Sequence, residues 1–266
     1  MPRTAAPNPE PFLCIVMPAY NEAQNLAANA ARLIDKLDEL DIDFELLIVD
    51  DCSIDATPKL AQALSARDGR VRVLRHAQNC GIGQSLYTGF ENARGQYTIF
   101  IPADLAMDLD DLPKYFEAAR HADIVVGLRS DRRDSILPRK IVSLINIGLL
   151  RLLFQMPLHQ FQYICMYRTD LLHQIELEYR HSAFLQAEAL IKARDMGYTL
   201  TEVTIGYIPR TGGVARGARA SSIAASVRDI LHFWLRWLFK RRQNGRRDWR
   251  IRSGARKTNG RLIADG

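Results

Sequence analysis

Four short apolar runs, each followed by a polar loop, constrain the fold of this chain more than any other feature. The runs are residues 13–17, 44–49, 71–74 and 98–101. A helix is predicted in each interval between them, and these helices end near residues 40, 66 and 92. Strands that alternate with helices form a parallel sheet covered by helices. We therefore predict an α/β fold with a mostly parallel, Rossmann-like central sheet, in which residues 98–101 form a central strand.

Acidic residues follow two of these runs where each strand is expected to end. Pro102 cannot donate a hydrogen bond to a neighbouring strand, so the fourth strand should stop there and bring Asp104 to the carboxyl edge of the sheet. Asp50 and Asp51 follow the second run in the same way. Open α/β sheets bind ligands at this edge, and a carboxylate there can hold Mg²⁺ against phosphates. Asp104 is thus a candidate metal ligand, although it can equally cap the next helical segment.

Other motifs exclude several alternative functions. The four cysteines lack paired spacing and the six histidines show no metal-ligand spacing, so the sequence predicts neither a disulfide framework nor a zinc site. No GxxxxGK[ST] motif is present, and GIGQSL lacks the third glycine of a dinucleotide fingerprint. No apolar window reaches the ~18–20 residues of a membrane span, and no signal peptide is evident. We therefore expect a cytoplasmic protein.

The net charge of +6 is unevenly distributed along the 266 residues. The segment from Arg236 onward contains eleven basic and two acidic residues, whereas the rest of the chain is slightly acidic. A basic tail of this kind is typical of a solvated end, and it can also bind anionic lipid or nucleic acid. We expect no nucleic-acid partner.

Four segments together resemble family 2 glycosyltransferases of the GT-A fold: VMPAYNEAQNL, IVDDCSIDAT, NCGIGQSLYTGFENARGQY and IPADL. The resemblance covers about residues 12–230 and is greatest to the polyprenyl-phosphate branch, which is dolichol-phosphate mannosyltransferase-like. It implies an inverting transfer of a hexose from a UDP- or GDP-sugar donor to a lipid phosphate acceptor. It also implies Mg²⁺ or Mn²⁺ as a cofactor on the donor pyrophosphate.

The same resemblance implies a set of site residues. Its nucleotide-binding residues are Pro18, Ala19, Tyr20, Glu22, Asp51, Asn79, Gly81, Gly83 and Asp104. Its phosphate or acceptor residues are Arg129, Arg210, Arg216 and Arg219, and its candidate catalytic residues are Asp104, Arg168 and Glu188, with Asp104 as the metal ligand. Two alternatives stay open from the residues themselves. Glu188 can anchor a basic residue of a loop, and Asp50 can close its strand end while Ser53 and Asp55 cap the next helix.

The sequence departs from the family pattern at the metal and acceptor motifs. Pro102 replaces the first acid of the usual Asp-x-Asp, and Ala106 replaces a glutamine. In MPLHQFQYICMYRTD, His159 stands where the family commonly has Asp, and Cys165 stands where it commonly has Lys or Arg. Two alternatives therefore remain: transfer to a hydroxyl acceptor, and a degenerate sugar-nucleotide-binding protein without activity. A lipid phosphate acceptor needs no strong base, because it is already largely ionised near neutral pH.

Two amphipathic stretches predict contact with an anionic membrane surface. Residues 139–158 are apolar with polar interruptions, and residues 230–243 place Phe233, Trp234, Trp237 and Leu238 beside a run of cations. Both helices can instead pack on the sheet or join a dimer. The predicted organisation is a disordered N-terminus (1–11), a GT-A domain (12–229) with a possible interfacial helix (139–158), an amphipathic helix (230–243) and a basic disordered tail (244–266). We expect a peripheral protein at the inner face of the membrane, with its oligomeric state left open.

Overall fold

A computed structural model of the chain describes residues 10–130, 137–161, 163–208 and 220–244. The strands are β1 (Leu13–Ala19), β2 (Phe44–Asp50), β3 (Val71–Arg75), β4 (Tyr97–Phe100), β5 (Ile124–Arg129), β6 (Cys165–Arg168) and β7 (Leu200–Ile205). The helices are α1 (Leu26–Glu39), α2 (Thr57–Arg67), α3 (Ile82–Asn92), α4 (Leu112–Ala119), α5 (Leu137–Phe154), α6 (Thr169–Gln174), α7 (Phe184–Asp195) and α8 (Ala220–Asn244). A short 3₁₀ turn spans Leu109–Asp111.

The seven strands form one sheet in the order β3-β2-β1-β4-β6-β5-β7. The expected mostly parallel α/β sheet is confirmed, with residues 98–101 at its centre. β6 is the exception, because it pairs antiparallel with both β4 and β5. β4 and β5 are therefore parallel to each other, and the carboxyl ends of all strands except β6 lie at one edge of the sheet.

Two apolar layers cover the faces of the sheet. On β1, Cys14 and Val16 belong to the layer beneath α3, α5, α7 and α8, whereas Leu13 and Ile15 belong to the layer beneath α1 and α4. This alternation follows from the two-residue period of a strand. Because both of its faces are covered, β1 is a continuous apolar run without exposed positions.

The first strand extends through Pro18 to Ala19, two residues beyond the apolar run 13–17 that predicted it. Val16 accepts a hydrogen bond from the Ile101 amide, so Val16, and Pro18 two residues later, direct their backbone groups toward β4. β4 has already ended at Phe100. Pro18 therefore interrupts no strand pairing, and the strand continues on its β2 side to Ala19.

The carboxyl-terminal helices differ from the prediction in their bounds and in their buried faces. α8 runs without a break from Ala220 to Asn244, so the predicted domain boundary at 229–230 falls inside a helix. Phe233 and Trp237 are buried against Phe154 of α5, with ring centroids 5.5 Å apart in both pairs, rather than exposed to a membrane. In the part of the chain that is described, no helix combines the length and apolarity needed to cross a membrane.

Candidate active site

The loops that follow β1, β2 and β4 lie side by side at the carboxyl edge of the sheet, because these three strands are adjacent and parallel. Asp51 directly follows β2, and Asp104 lies four residues beyond the end of β4. Tyr20 directly follows β1, which lies between those two strands. The fold thus brings together the loops on which the sequence predicts nucleotide and metal contacts.

The β1 and β2 loops are hydrogen-bonded to each other. The Asn21 amide donates to the Ser53 hydroxyl (2.9 Å), and the Asn21 side-chain oxygen accepts from the Ile54 amide (2.9 Å). The Glu22 amide donates to the Thr57 hydroxyl (2.8 Å). These bonds fix the half-buried segment that contains Tyr20 and Glu22, so the predicted base and ribose loop is already shaped by the protein.

The carboxylate of Asp51 holds the loop that precedes α3. Its oxygens accept hydrogen bonds from the amides of Cys80 (2.8 Å) and Gly81 (2.7 Å), and one of them lies 2.7 Å from His76 Nδ1. The Asn79 side chain donates to the Asp51 carbonyl oxygen (3.3 Å). Asp51, Asn79 and Gly81, predicted as separate ligand contacts, therefore form one hydrogen-bonded unit.

The two glycines predicted to bind the nucleotide, Gly81 and Gly83, have different structural roles. Gly81 has a φ of +85°, a conformation that favours glycine. Gly83 instead allows close packing, since a Cβ there would lie 2.5 Å from the carbonyl oxygens of Arg180 and Ser182. Gly83 thus joins the amino end of α3 to the segment before α7.

Asp50 and Asp55 have the structural roles that the sequence left open for them. Asp50 is fully buried, accepts from the Ser53 amide (3.1 Å) and pairs with Arg75 (3.0 Å). Asp55 accepts from the Thr57 amide (2.9 Å) at the start of α2. Ser53 differs from the expectation, because its hydroxyl bonds to the β1 loop rather than capping α2.

Asp104 lies in a turn that several side chains hold in place. The Leu105 amide donates to the Pro102 carbonyl oxygen (2.9 Å), which closes the turn around Asp104. Asn29 on α1 donates to the Ala103 carbonyl oxygen (2.9 Å), and the Tyr163 hydroxyl donates to that of Ala106 (2.5 Å). The half-buried Asp104 is thus carried on a rigid turn at the carboxyl end of β4.

Tyr163 connects this turn electrostatically to Arg129. Burial raises the pKa of the Tyr163 phenol, the charge of Arg129 opposes the rise, and the charge of Asp104 adds to it. Arg129 ends β5 at the same sheet edge, and its guanidinium lies 3.0 Å from the centroid of the Tyr207 ring. A stacked guanidinium at the same sheet edge as Asp104 suits the binding of phosphate. Arg210, Arg216 and Arg219 lie outside the described residues.

Arg168 is at the opposite edge of the sheet from Asp104, which contradicts its predicted place among the catalytic residues. It ends the antiparallel strand β6 and is paired in register with Tyr97, at the amino end of β4. Its guanidinium forms ion pairs with Asp123 (3.0 Å) and Asp170 (2.6 Å). The sequence prediction failed because the motif does not reveal the direction of β6.

Glu188 is fully buried, which supports the anchoring alternative, and its catalytic role stays a prediction. Its oxygens accept from the amides of Glu178 and Tyr179 (both 2.9 Å) and pair with Lys192 (2.7 Å). Burial raises its pKa, and the Lys192 charge opposes the rise. All of these partners come from the protein, so Glu188 holds the segment before α7.

Three residues of this edge were missed by sequence reasoning: His76, Tyr163 and Tyr207. His76 directly follows β3, so the signal that identified Asp51, a polar residue at a strand end, could have found it. Tyr163 and Tyr207 reach the edge only because β6 and β7 join the same sheet. No local pattern marks either of them.

Comparisons with known proteins identify the family of the chain. The sequence profile described as glycosyl transferase family 2 matches residues 14–176. An undecaprenyl-phosphate 4-deoxy-4-formamido-L-arabinose transferase from Aeromonas hydrophila is 29% identical over 211 residues, which are 77% of this chain and 62% of that protein. The transferase of the same name from Pseudomonas aeruginosa is 34% identical over 148 residues, 54% of this chain and 43% of that protein. The chain spans less than two thirds of the length of these relatives.

Solved structures share the fold. Glucosyl-3-phosphoglycerate synthase from Mycobacterium tuberculosis, in complex with Mn²⁺, uridine diphosphate and phosphoglyceric acid, superposes with a TM-score of 0.64 at 18% identity. The match covers 85% of this chain and 78% of the synthase. The predicted GT-A fold is confirmed by this likeness.

Proposed function

Because the chain belongs to glycosyl transferase family 2, we propose that it transfers a hexose from a nucleotide sugar to a polyprenyl phosphate. The observation that carries this proposal is the placement of Asp51 and Asp104 on the two loops that flank the β1 loop at one sheet edge. The relatives named undecaprenyl-phosphate transferases support the acceptor class. The synthase crystallised with uridine diphosphate makes a UDP-sugar the first donor to test, with a GDP-sugar second.

The donor is proposed to bind across the β1, β2 and β4 loops. Tyr20 and Glu22, on the hydrogen-bonded β1 loop, face the base and ribose, and Asp51 accepts from the base. Binding there would compete for the Asp51 oxygens that now accept from the Cys80 and Gly81 amides. The base is therefore read by the same unit that positions the loop before α3.

A divalent metal fits the chemistry of Asp104. Mg²⁺ and Mn²⁺ prefer oxygen ligands, and Mg²⁺ commonly binds through one or two carboxylates together with phosphate oxygens and water. Asp104 supplies one carboxylate on a rigid turn, whereas nearby Asp108 accepts from the Asp110 amide (3.1 Å) and caps the 3₁₀ turn. Asp104 would hold the ion, which would offset the charge of the departing nucleoside diphosphate.

In the proposed inverting reaction, an oxygen of the acceptor phosphate attacks the anomeric carbon. The new bond joins that carbon to the acceptor oxygen as the bond to the donor phosphate breaks, and no proton has to be removed from an ionised acceptor. Arg129, held against Tyr207, contributes a positive charge beside the reacting phosphates. The contribution of the protein is therefore positioning and charge neutralisation.

Transfer assays with matched variants test this function. The full chain, with Mn²⁺, a panel of UDP- and GDP-sugars and undecaprenyl phosphate, is expected to form the lipid-linked sugar, and chelation should stop the reaction. Asp104→Asn should abolish metal-dependent donor binding and transfer, whereas Asp108→Asn should retain both. Transfer only to hydroxyl acceptors would replace the proposed acceptor, and donor binding without any turnover would identify a non-catalytic sugar-nucleotide-binding protein.

We further propose that the protein docks peripherally on an anionic membrane surface, at the cytoplasmic face. On α8, Leu231, Leu235 and Phe239 recur at four-residue intervals and are 43%, 49% and 63% exposed. Arg228 and Arg236 occupy the adjacent exposed row of the same helix. An exposed apolar stripe beside cations suits a lipid interface. The free thiols of all four cysteines fit a reducing compartment.

Vesicle sedimentation tests the docking surface. Binding should require anionic lipid, weaken with added salt, and fall when Leu235 and Phe239 are both changed to Ser. The matched change at Ile54, which is 86% exposed on the β2 loop, should leave vesicle binding intact. Equal recovery in the supernatant with and without anionic vesicles at low salt would contradict the membrane proposal.

A further inference from the structure

Three side chains that can ligate a metal converge beside the β2 loop. Asp51, His76 and Cys80 each offer one ligand atom, and these atoms all lie within 4.8 Å of one another. They come from the end of β2, the end of β3 and the loop before α3. His76 and Cys80 are half-buried, so the cluster borders solvent without being an open surface patch.

The ligand types differ from those at Asp104. One carboxylate oxygen, one imidazole nitrogen and one thiolate sulfur form a mixed set that favours Zn²⁺ over Mg²⁺ or Mn²⁺. Three protein ligands leave a fourth tetrahedral position open, as in zinc sites that bind water or a further ligand. The spacing His76-x₃-Cys80 supplies a close pair of ligands from one short loop.

The hydrogen bonds around the cluster resemble those that orient the ligands of a metal site. His76 Nδ1 lies 2.7 Å from Asp51, while its Nε2 lies 2.9 Å from the Thr88 hydroxyl. A metal-ligating histidine ordinarily uses its second nitrogen in such a bond, which fixes the ring orientation and the tautomer. The Asp51 carboxylate is likewise oriented by the amides of Cys80 and Gly81.

We propose that Asp51, His76 and Cys80 bind Zn²⁺, separately from the divalent metal of Asp104. Binding displaces the thiol proton of Cys80 and any proton held between His76 and Asp51, since the metal bonds to the deprotonated ligands. Zinc also occupies the Asp51 carboxylate that the proposed function assigns to the donor base. That second consequence rests on the proposed function: zinc then competes with the nucleotide.

Cobalt substitution in the full-length, metal-stripped chain tests the site directly. Co²⁺ is expected to bind with a near-ultraviolet thiolate-to-cobalt charge-transfer band that Zn²⁺ bleaches. Cys80→Ser should lose this band, and the matched control Cys52→Ser, whose half-buried thiol lies on the β2 loop, should keep it. Thr88→Val, which removes the partner of His76 Nε2, should weaken cobalt affinity about 10- to 100-fold.

The outcomes separate this site from the proposed function. No thiolate band in the wild type, or a band unchanged in Cys80→Ser, overturns the metal site even if UDP binds normally. A band that forms normally while UDP and Co²⁺ bind without mutual competition supports the metal site and removes Asp51 from the donor base. Mutual competition between UDP and Co²⁺, lost in Cys80→Ser, supports both.

Discussion

Asp51 and Glu188 form nearly the same local arrangement in two different parts of the molecule. Asp51 accepts from the consecutive amides of Cys80 and Gly81 and contacts His76, and Glu188 accepts from two consecutive amides and pairs with a lysine. Each carboxylate thereby fixes a loop before a helix. Their surroundings differ: both carboxylates are buried, but the partners of Asp51, namely His76, Cys80 and Gly81, are half-buried at the sheet edge, whereas Glu188 pairs with a buried lysine.

This difference shows why a carboxylate in a family motif is not by itself a ligand-binding group. At the sheet edge, a ligand that enters from solvent can replace a backbone amide or His76 as a partner of the Asp51 carboxylate. Around Glu188, the cation is Lys192, whose side chain is 3% exposed, whereas the side chain of His76 beside Asp51 is 13% exposed. The position of a carboxylate relative to the carboxyl edge of the sheet therefore decides whether it can contact a ligand.

The largest expected effect is the loss of stability in Glu188→Gln. Removing one charge of a buried pair leaves Lys192 poorly compensated, and the cost is on the order of 3 kcal/mol. Denaturant unfolding measures it. The control Glu117→Gln removes a carboxylate that is 66% exposed and should cost no more than about 1 kcal/mol. A folded Glu188→Gln protein that binds nucleotide normally but transfers no sugar would show that Glu188 has a catalytic role.

The second effect is expected in Asp51→Asn and concerns nucleotide affinity. A charge-assisted hydrogen bond contributes about 1.5–3 kcal/mol, so affinity without metal should fall on the order of 10- to 100-fold. Titration calorimetry with UDP and GDP measures the change. Asp123→Asn is the matched control, since Asp123 also accepts from a backbone amide, that of Thr199 (2.9 Å), but at the opposite edge of the sheet. Equal affinities in the two variants would exclude a base contact at Asp51.

The third effect tests whether the two loops held by these carboxylates support each other. They meet at Gly83, where an added Cβ would lie 2.5 Å from two carbonyl oxygens, so Gly83→Ala should cost about 1–3 kcal/mol. Gly148→Ala is the control, because nothing lies within 4 Å of a Cβ there. Replacing a glycine inside helix α5 should raise the free energy of unfolding by about 0.5–1 kcal/mol. Thermal unfolding of both variants gives the signs. A neutral Gly83→Ala would mean that the two loops move apart at little cost.

Local patterns in the sequence were sufficient to predict β2, β3, β4 and the edge at which Asp51 and Asp104 lie. An apolar run followed by Pro102 or by acids carries this information within a few residues. The extension of β1 through Pro18 depends on β4, which ends at Phe100 opposite Val16, two residues before Pro18, and this pairing is not visible in the local sequence.

The misplaced residues share a non-local cause. The role of Arg168 depends on the direction of β6, and that of Glu188 depends on the segment folded over it. The burial of Phe233 and Trp237 depends on Phe154, far away in the chain. Aromatic residues beside cations form the same sequence pattern whether they face a lipid or another helix. The environment of these positions could therefore not be assigned from the pattern alone.

The smallest effect is expected in Arg168→Ala, and it sharpens the distinction between the two edges of the sheet. Arg168 is partly exposed and its ion pairs with Asp123 and Asp170 are solvent-screened, so stability should change by about 0–1 kcal/mol. Sugar transfer should keep its rate, because the guanidinium is separated from Asp104 by the length of β4. Arg129→Ala, at the carboxyl edge, should instead slow transfer. Steady-state assays of both variants provide the comparison, and a selective loss of transfer in Arg168→Ala would show that the acceptor reaches the amino edge of the sheet.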